Sequence, residues 1–103
     1  METPTPSRLK SARKAAGLTQ QQLGMALGME PNTASARMNQ YEKGKHAPDF
    51  LTMKRIAKEL DVPVAYFYCE NERISNLLLI LHHLDEGQFL QTELFLNSLK
   101  KLG

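Results

Sequence analysis

Cysteine is nearly missing from this 103-residue chain: Cys69 stands alone, so no internal disulfide can form, and one thiolate cannot build a zinc site. The fold must rest on packing. Long apolar runs are missing too. No window approaches the roughly 20 apolar residues that a membrane span needs, and the opening METPTPSRLK has no apolar stretch of a signal peptide. A cytoplasmic chain with no membrane partner is expected. Alternating β-branched runs and internal repeats are absent, which leaves an all-α reading. No glycine-rich phosphate loop occurs, and a net charge of only +2 does not by itself announce a polyanion binder.

What is present is enough for one core. With 42% hydrophobic and 23% charged residues the chain is neither disordered nor fibrous. Its length suits a single domain of about 100 residues with a short appendage. The small net charge hides an asymmetry: residues 1–69 carry ten Lys/Arg against six Asp/Glu, and residues 70–103 carry three against five. A basic part suits a polyanion, and a mildly acidic, leucine-rich end suits a protein partner.

Residues 1–6, with Pro4 and Pro6, are expected to form a flexible arm. From Ser7 a first helix places Leu9, Ala12 and Ala16 at helical spacing, and Gly17 stops it. Thr19 and Gln22 form a capping box for a second helix, whose inner face is Leu23, Ala26 and Leu27 and whose end is Gly28. The third helix has two candidate starts. A cap at Ser35 is the preferred reading and a start at Pro31 the alternative; Met38 and Tyr41 point inward and Gly44 terminates it. Asp49 caps a fourth helix with Phe50, Met53, Ile56, Ala57 and Leu60 on one stripe. Pro63 opens a short fifth, whose Val64 and Phe67 close the core. Two leucine-rich segments follow, ISNLLLILHHL and QFLQTELFLNSLKKL, divided by Asp85, Glu86 and Gly87, and they predict a helical hairpin over 72–103.

Two short helices joined at a glycine, the later one rich in Ser, Asn, Gln and Arg on one face, suit a major-groove reader. The ordered string Gly17-Leu18-Thr19-Gln20, Leu23, Leu27-Gly28, Tyr41-Glu42-Lys43-Gly44, Pro48, Ile56-Ala57 and Leu60 resembles the Cro/cI-type helix-turn-helix family, also called the XRE family of bacterial and phage regulators, over about residues 7–69. The resemblance implies a five-helix DNA-binding bundle, placed here at 7–71 and followed by the two-helix segment. Helix two would lie across the DNA backbone and helix three in the major groove.

The resemblance also assigns residues. Gln20 matches the family's phosphate-binding glutamine, with Thr19 beside it at the start of helix two. Arg13 and Glu42 match a structural ion pair between helix one and the end of helix three. Counting back from Gly44, Ser35, Ala36 and Gln40 fall where base-reading side chains lie, and Arg37 and Asn39 share the neighbouring surface. A glutamine paired with adenine, or an arginine with guanine, is worth about 1–3 kcal/mol of discrimination. Lys43, Lys45 and His46 should meet phosphate. Compared with the common family spacing, about four extra residues stand between Gly28 and Glu42, so Asn32 and Thr33 either approach the DNA or hold the loop.

The tail lies outside the resemblance. Ile74, Leu77, Leu78, Leu81 and Leu84 make one stripe, Leu79 and Ile80 add apolar surface on another side, and Phe89, Phe95 and Leu99 continue it in the last segment. Either the hairpin folds back over its own bundle or it forms a homodimer interface; the dimer is favoured, because one helix-turn-helix makes few contacts and two read paired half-sites. The function read is a dimeric repressor bound to a double-stranded DNA operator. An antitoxin-type protein that also grips a protein partner is the alternative. An enzyme would have to recruit Cys69, His46, His82, His83 and Asp85, but adjacent His82 and His83 are expected on different helix faces, so no catalytic site, metal or cofactor is expected.

Overall fold

The computed structural model describes residues 3–100. Expectations for residues 1–2 of the arm and 101–103 of the last segment lie outside the described residues. Regular structure within them is helical throughout: α1 (Thr5–Ala15), α2 (Gln20–Ala26), α3 (Pro31–Glu42), α4 (Phe50–Leu60), a 3-10 turn (Val64–Tyr68), α5 (Glu72–His83) and α6 (Glu86–Lys100). The 3-10 turn takes the place of the fifth helix.

The first helix begins inside the expected arm. Pro4 is its N-cap and Pro6 falls in its first turn, where the missing N–H costs nothing. Thr5 Oγ1 donates to the Phe67 carbonyl at 2.9 Å, and Arg8 donates through Nε and Nη2 to the Cys69 carbonyl at 3.1 and 2.9 Å. These bonds tie α1 to the 3-10 turn. Gly17, at φ +73°, ends the helix, a backbone state that glycine adopts without penalty.

The capping box of α2 is present as expected: Thr19 Oγ1 accepts from Gln22 N–H at 3.0 Å and Gln22 Oε1 accepts from Thr19 N–H at 2.9 Å. The third helix starts at Pro31, not Ser35. Pro31 supplies a preset φ at the first helical position, so no side-chain cap is needed, and Glu30 provides none. Ser35 therefore sits within the helix, and the extra residues lengthen α3 instead of the turn before it. That added length packs on α2 at Gly24, where a Cβ would lie 2.6 Å from Ala34 Cβ. Gln21 Nε2 adds a bond to the Pro31 carbonyl at 3.3 Å.

The core lies between α1, α2, α3, α4 and the 3-10 turn, with Leu9, Leu23, Met38, Met53, Ile56 and Phe67 fully buried at its centre. Thr52 N–H donates to the Asp49 carboxylate that caps α4, and bonds from Thr52 hold that carboxyl below its usual range. Phe50 leaves the expected inner stripe: it is 58% exposed and stands beside Tyr68 with ring centroids 6.2 Å apart. At the first turn of α4 the stripe already faces past the edge of the core. Burial pushes the Tyr68 phenol up, and the nearby Asp49 charge adds to it.

Helix α5 docks on the 3-10 turn in an unexpected register. Ser75 is fully buried and Leu79 packs on the core, whereas Ile74 and Leu77 are 51% and 56% exposed. Leu78, Leu81 and Leu84 are half-buried. Ser75 can be buried because its hydroxyl donates to the Glu72 carbonyl of its own helix at 2.7 Å, so no polar group is orphaned. Helix α6 starts at an Asp85–Gln88 capping box and does not return over α5: none of its described residues is buried. The expected hairpin is thus open. The radius of gyration, 15.9 Å, exceeds the roughly 13 Å of a compact chain this long.

His82 and His83 do not diverge. His82 Nε2 lies 3.1 Å from Asp61 Oδ1 and His83 Nε2 lies 3.1 Å from Asp61 Oδ2. Both sit in the last turn of α5, where the rings can swing toward one side, and Asp61, left-handed at φ 54° after α4, reaches between them. The two histidine bonds hold the Asp61 carboxyl below its usual range. His83 is raised by its bond to the Leu79 carbonyl and then by Asp61.

Candidate nucleic-acid interface

Helix α3 buries one face and presents the other. Ala34, Met38 and Tyr41 recur at helical spacing and are buried. The opposite stripe runs Asn32, Ser35, Ala36, Asn39, Gln40 and Lys43, with Thr33 and Arg37 on its flanks. Twelve residues make a helix about 18 Å long, enough to lie across a major groove about 12 Å wide. Asn32, Thr33, Ser35, Ala36, Arg37 and Lys43 are exposed, while Asn39 and Gln40 are half-buried at the rim. Thr33 Oγ1 bonds back to the Glu30 carbonyl at 3.1 Å, so it steadies the first turn of α3. Asn32 stands free beside it. Seven of the ten sequence-named residues, from Asn32 through Lys43, thus lie on α3 or at its end, and Lys45 follows the turn at Gly44.

The orientation of this face is set from behind. Arg13 Nε donates to Glu42 Oε2 at 2.6 Å and Nη2 donates to Glu42 Oε1 at 3.1 Å, a fork on a carboxylate whose side chain is 3% exposed. Arg13 Nη1 also donates to the Leu18 carbonyl at 2.8 Å, which ties in the turn between α1 and α2. The expected ion pair therefore fixes three elements.

Gln20 joins this network. Its Nε2 donates to Asn39 Oδ1 at 3.3 Å and to Glu42 Oε1 at 3.2 Å. The side chain named for phosphate is a strut between α2 and α3, with both amide hydrogens engaged within the chain. Thr19 is exposed beside it, its hydroxyl accepting the cap bond. Sequence reasoning missed Arg55, which donates to the Leu27 carbonyl at the end of α2, and Arg8. Both looked like solvated charges on amphipathic helices. Their acceptors are carbonyls far away in the chain.

Positive charge collects past the end of α3. Lys10 and Lys43 line an open cleft of about 800 Å³ between the start of α1 and the turn at Gly44, with the His46 ring beside them. Cationic side chains flanking a groove-sized polar helix are what a duplex requires: charge for the backbone, and donors and acceptors for base edges.

The comparisons agree with this geometry. The model of a family described as "Helix-turn-helix" (HTH_3) matches residues 9–67. The crystal structure of transcriptional regulator BswR is similar to this chain, with 41% sequence identity, a TM-score of 0.88, and coverage of 90% of this chain and 92% of that one. That coverage is too long to be confined to the matched family segment, so the likeness extends into the C-terminal helices. No curated protein matches.

Proposed function

The chain belongs to the helix-turn-helix family HTH_3 and is a DNA-binding transcription regulator, and from that premise we propose that it represses transcription in the cytoplasm by reading operator half-sites as a homodimer. The observation that carries the reading is the polar stripe of α3, set opposite its buried face and flanked by lysines. In this reading residues 7–71 hold the DNA and residues 72–103 join two copies. Ser35, Arg37, Asn39 and Gln40 face base edges, Asn32 and Thr33 extend the contact by the added turn, and Thr19, Gln20, Lys43 and Lys45 meet the backbone. For Gln20 that contact shares an amide already held by Asn39 and Glu42.

Titration against genomic fragments at two salt concentrations tests the reading. A preferred fragment should emerge, with log affinity falling with log salt by about 0.9 per neutralised phosphate. Gln40→Ala should lower discrimination at one base position by about 1–3 kcal/mol while leaving binding to unrelated DNA unchanged. Lys43→Ala should weaken all sequences alike and reduce the salt slope by about one. Exchange of these two patterns overturns the assignment.

The dimer rests on the tail. Ile74, Leu77, Phe89, Phe95 and Leu99 are each more than 40% exposed, with Ile80, Leu90, Leu94 and Leu96 exposed beside them, and this much clustered apolar surface calls for a cover. Ser75 and Leu79 seat α5 on the bundle, so a twofold pair formed through α5 and α6 would hold two α3 helices in fixed relation. Half-sites one DNA turn apart, about 34–36 Å, or a multiple of it, follow. Sedimentation of the full chain should give a dimer, and Leu77→Glu with Phe95→Glu should give a folded monomer that binds the operator at least about 100-fold more weakly. A full chain that stays monomeric would refute the dimer and turn attention to a protein partner.

A further inference from the structure

Asp61, His82 and His83 form a cluster that DNA binding does not use. It lies where the end of α4 meets the end of α5. Each residue can offer one ligand atom, and these atoms all lie within 4.8 Å of one another. We propose that this cluster is a binding site for a borderline divalent transition metal, Zn²⁺ being the natural occupant, held by His82 Nε2, His83 Nε2 and an Asp61 carboxylate oxygen.

The distances suit it. In tetrahedral zinc sites with bonds of about 2.0–2.1 Å, ligand atoms stand roughly 3.3 Å apart. Both His–Asp separations here are 3.1 Å. His82 meets one carboxylate oxygen and His83 the other, so Asp61 already stands between the two rings, and its side chain, 76% exposed, has room to offer either oxygen to an ion held by both.

The second argument is the hydrogen bond behind the cluster. A carbonyl can only accept, so the 2.9 Å contact from His83 Nδ1 to the Leu79 carbonyl places a proton on Nδ1. Without metal Nε2 donates to the Asp61 carboxylate, and a bound cation would displace that one proton and take the Nε2 lone pair, which already points at Asp61. A backbone carbonyl fixing the far nitrogen of a ligating imidazole is the usual outer support of a histidine metal ligand. Two imidazoles and one carboxylate select zinc, cobalt or nickel over magnesium and calcium, which prefer all-oxygen shells. Three protein ligands leave at least one position for water.

Such an ion would clamp the last turn of α5 to the residue that ends α4. Because α6 departs from α5 at Leu84 and Asp85, the clamp secures the root of the apolar C-terminal helix on the DNA-binding bundle.

The test uses the untagged full chain, freed of metal with a chelator. Co²⁺ titration should produce visible d–d absorption saturating at one ion per chain, Zn²⁺ should bleach it by displacement, and Zn²⁺ should raise the melting temperature. Asp61→Asn, His82→Asn and His83→Asn should each weaken binding by at least the roughly 10–100-fold that loss of an outer-shell partner costs. Asn adopts the left-handed backbone of position 61 readily, so that variant keeps the turn. His46→Asn, at the histidine outside the cluster, should leave Co²⁺ binding unchanged. Absence of the cobalt band, or equal binding in the cluster variants and the wild type, would overturn the proposal; so would a loss in His46→Asn as large as in the others.

Discussion

Glu42→Ala should cost about 3–5 kcal/mol of folding stability, because it leaves the Arg13 guanidinium nearly buried with its carboxylate gone. Arg13 would keep only the Leu18 carbonyl, and Gln20 would lose one of its two acceptors. Domains of this size hold about 5–15 kcal/mol in all, and each kcal/mol moves the melting temperature by roughly 4–8 °C. A drop on the order of 15 °C or more is therefore expected in a thermal melt. Arg13→Ala should do comparable damage by leaving the Glu42 carboxylate almost alone. Replacing both partners with apolar residues, Arg13→Met with Glu42→Leu, should restore much of the stability, since a buried pair repays little more than its own desolvation. DNA binding should recover less than stability does, because Gln20 would keep Asn39 but lose its Glu42 acceptor at the end of α3. A melting point for Glu42→Ala within two or three degrees of the wild type would show that the pair is ornamental.

That contrast explains which features were legible in the sequence. Helix ends written in local chemistry were readable: the Thr19–Gln22 box, the Asp49 cap and the glycine at 17 involve residues within one turn of each other. The start of α3 was not. Ser35 is a good cap residue by type, and Pro31 needs no cap, so two local rules competed and only the packing of Ala34 on Gly24 decides between them. Seven of the ten residues named for DNA contact fall together on α3 or at its end, because helical spacing alone groups them. The double bond of Gln20 to Asn39 and Glu42 depends on how α2 crosses α3, which no local pattern encodes.

In the tail, periodicity failed for a different reason. Apolar residues occupy nearly every side of α5, so the pattern selects no face; the buried position went to a serine that satisfies itself within its own helix. The meeting of Asp61 with His82 and His83 spans some twenty residues and relies on a left-handed turn at Asp61. Adjacent residues on a helix diverge at Cβ, but in the last turn both histidine rings can swing past the helix end to a common partner.

Gly24→Ala should destabilise the fold although it replaces glycine with the best helix former. In an open helix the change would gain about 1 kcal/mol. Here the new Cβ would meet Ala34 Cβ at 2.6 Å, Ala34 Cα at 2.8 Å and the Ala34 carbonyl oxygen at 3.0 Å. Two of those three atoms are backbone, so the helix itself must move. Overpacking of this kind costs about 1–3 kcal/mol and sometimes more, which outweighs the propensity gain. Gly24→Val adds two methyl groups to the same contact and should largely abolish folding. Ala34→Gly combined with Gly24→Ala should rescue only in part, because the Cα and carbonyl contacts remain. Gly87→Ala in α6 is the internal control: its nearest neighbour would be an Asp85 carboxylate oxygen at 3.5 Å, an ordinary contact, so the helix gain should appear. The two alanine variants should thus shift the melting temperature in opposite directions. Operator binding should fall further than stability alone accounts for in Gly24→Ala, because the displaced segment is the added first turn of α3, which carries Asn32 and Thr33. If Gly24→Ala melts above the wild type and binds DNA unchanged, α3 does not depend on that close approach, and its added turn must be held by the Gln21 bond to Pro31 and the Thr33 bond to Glu30.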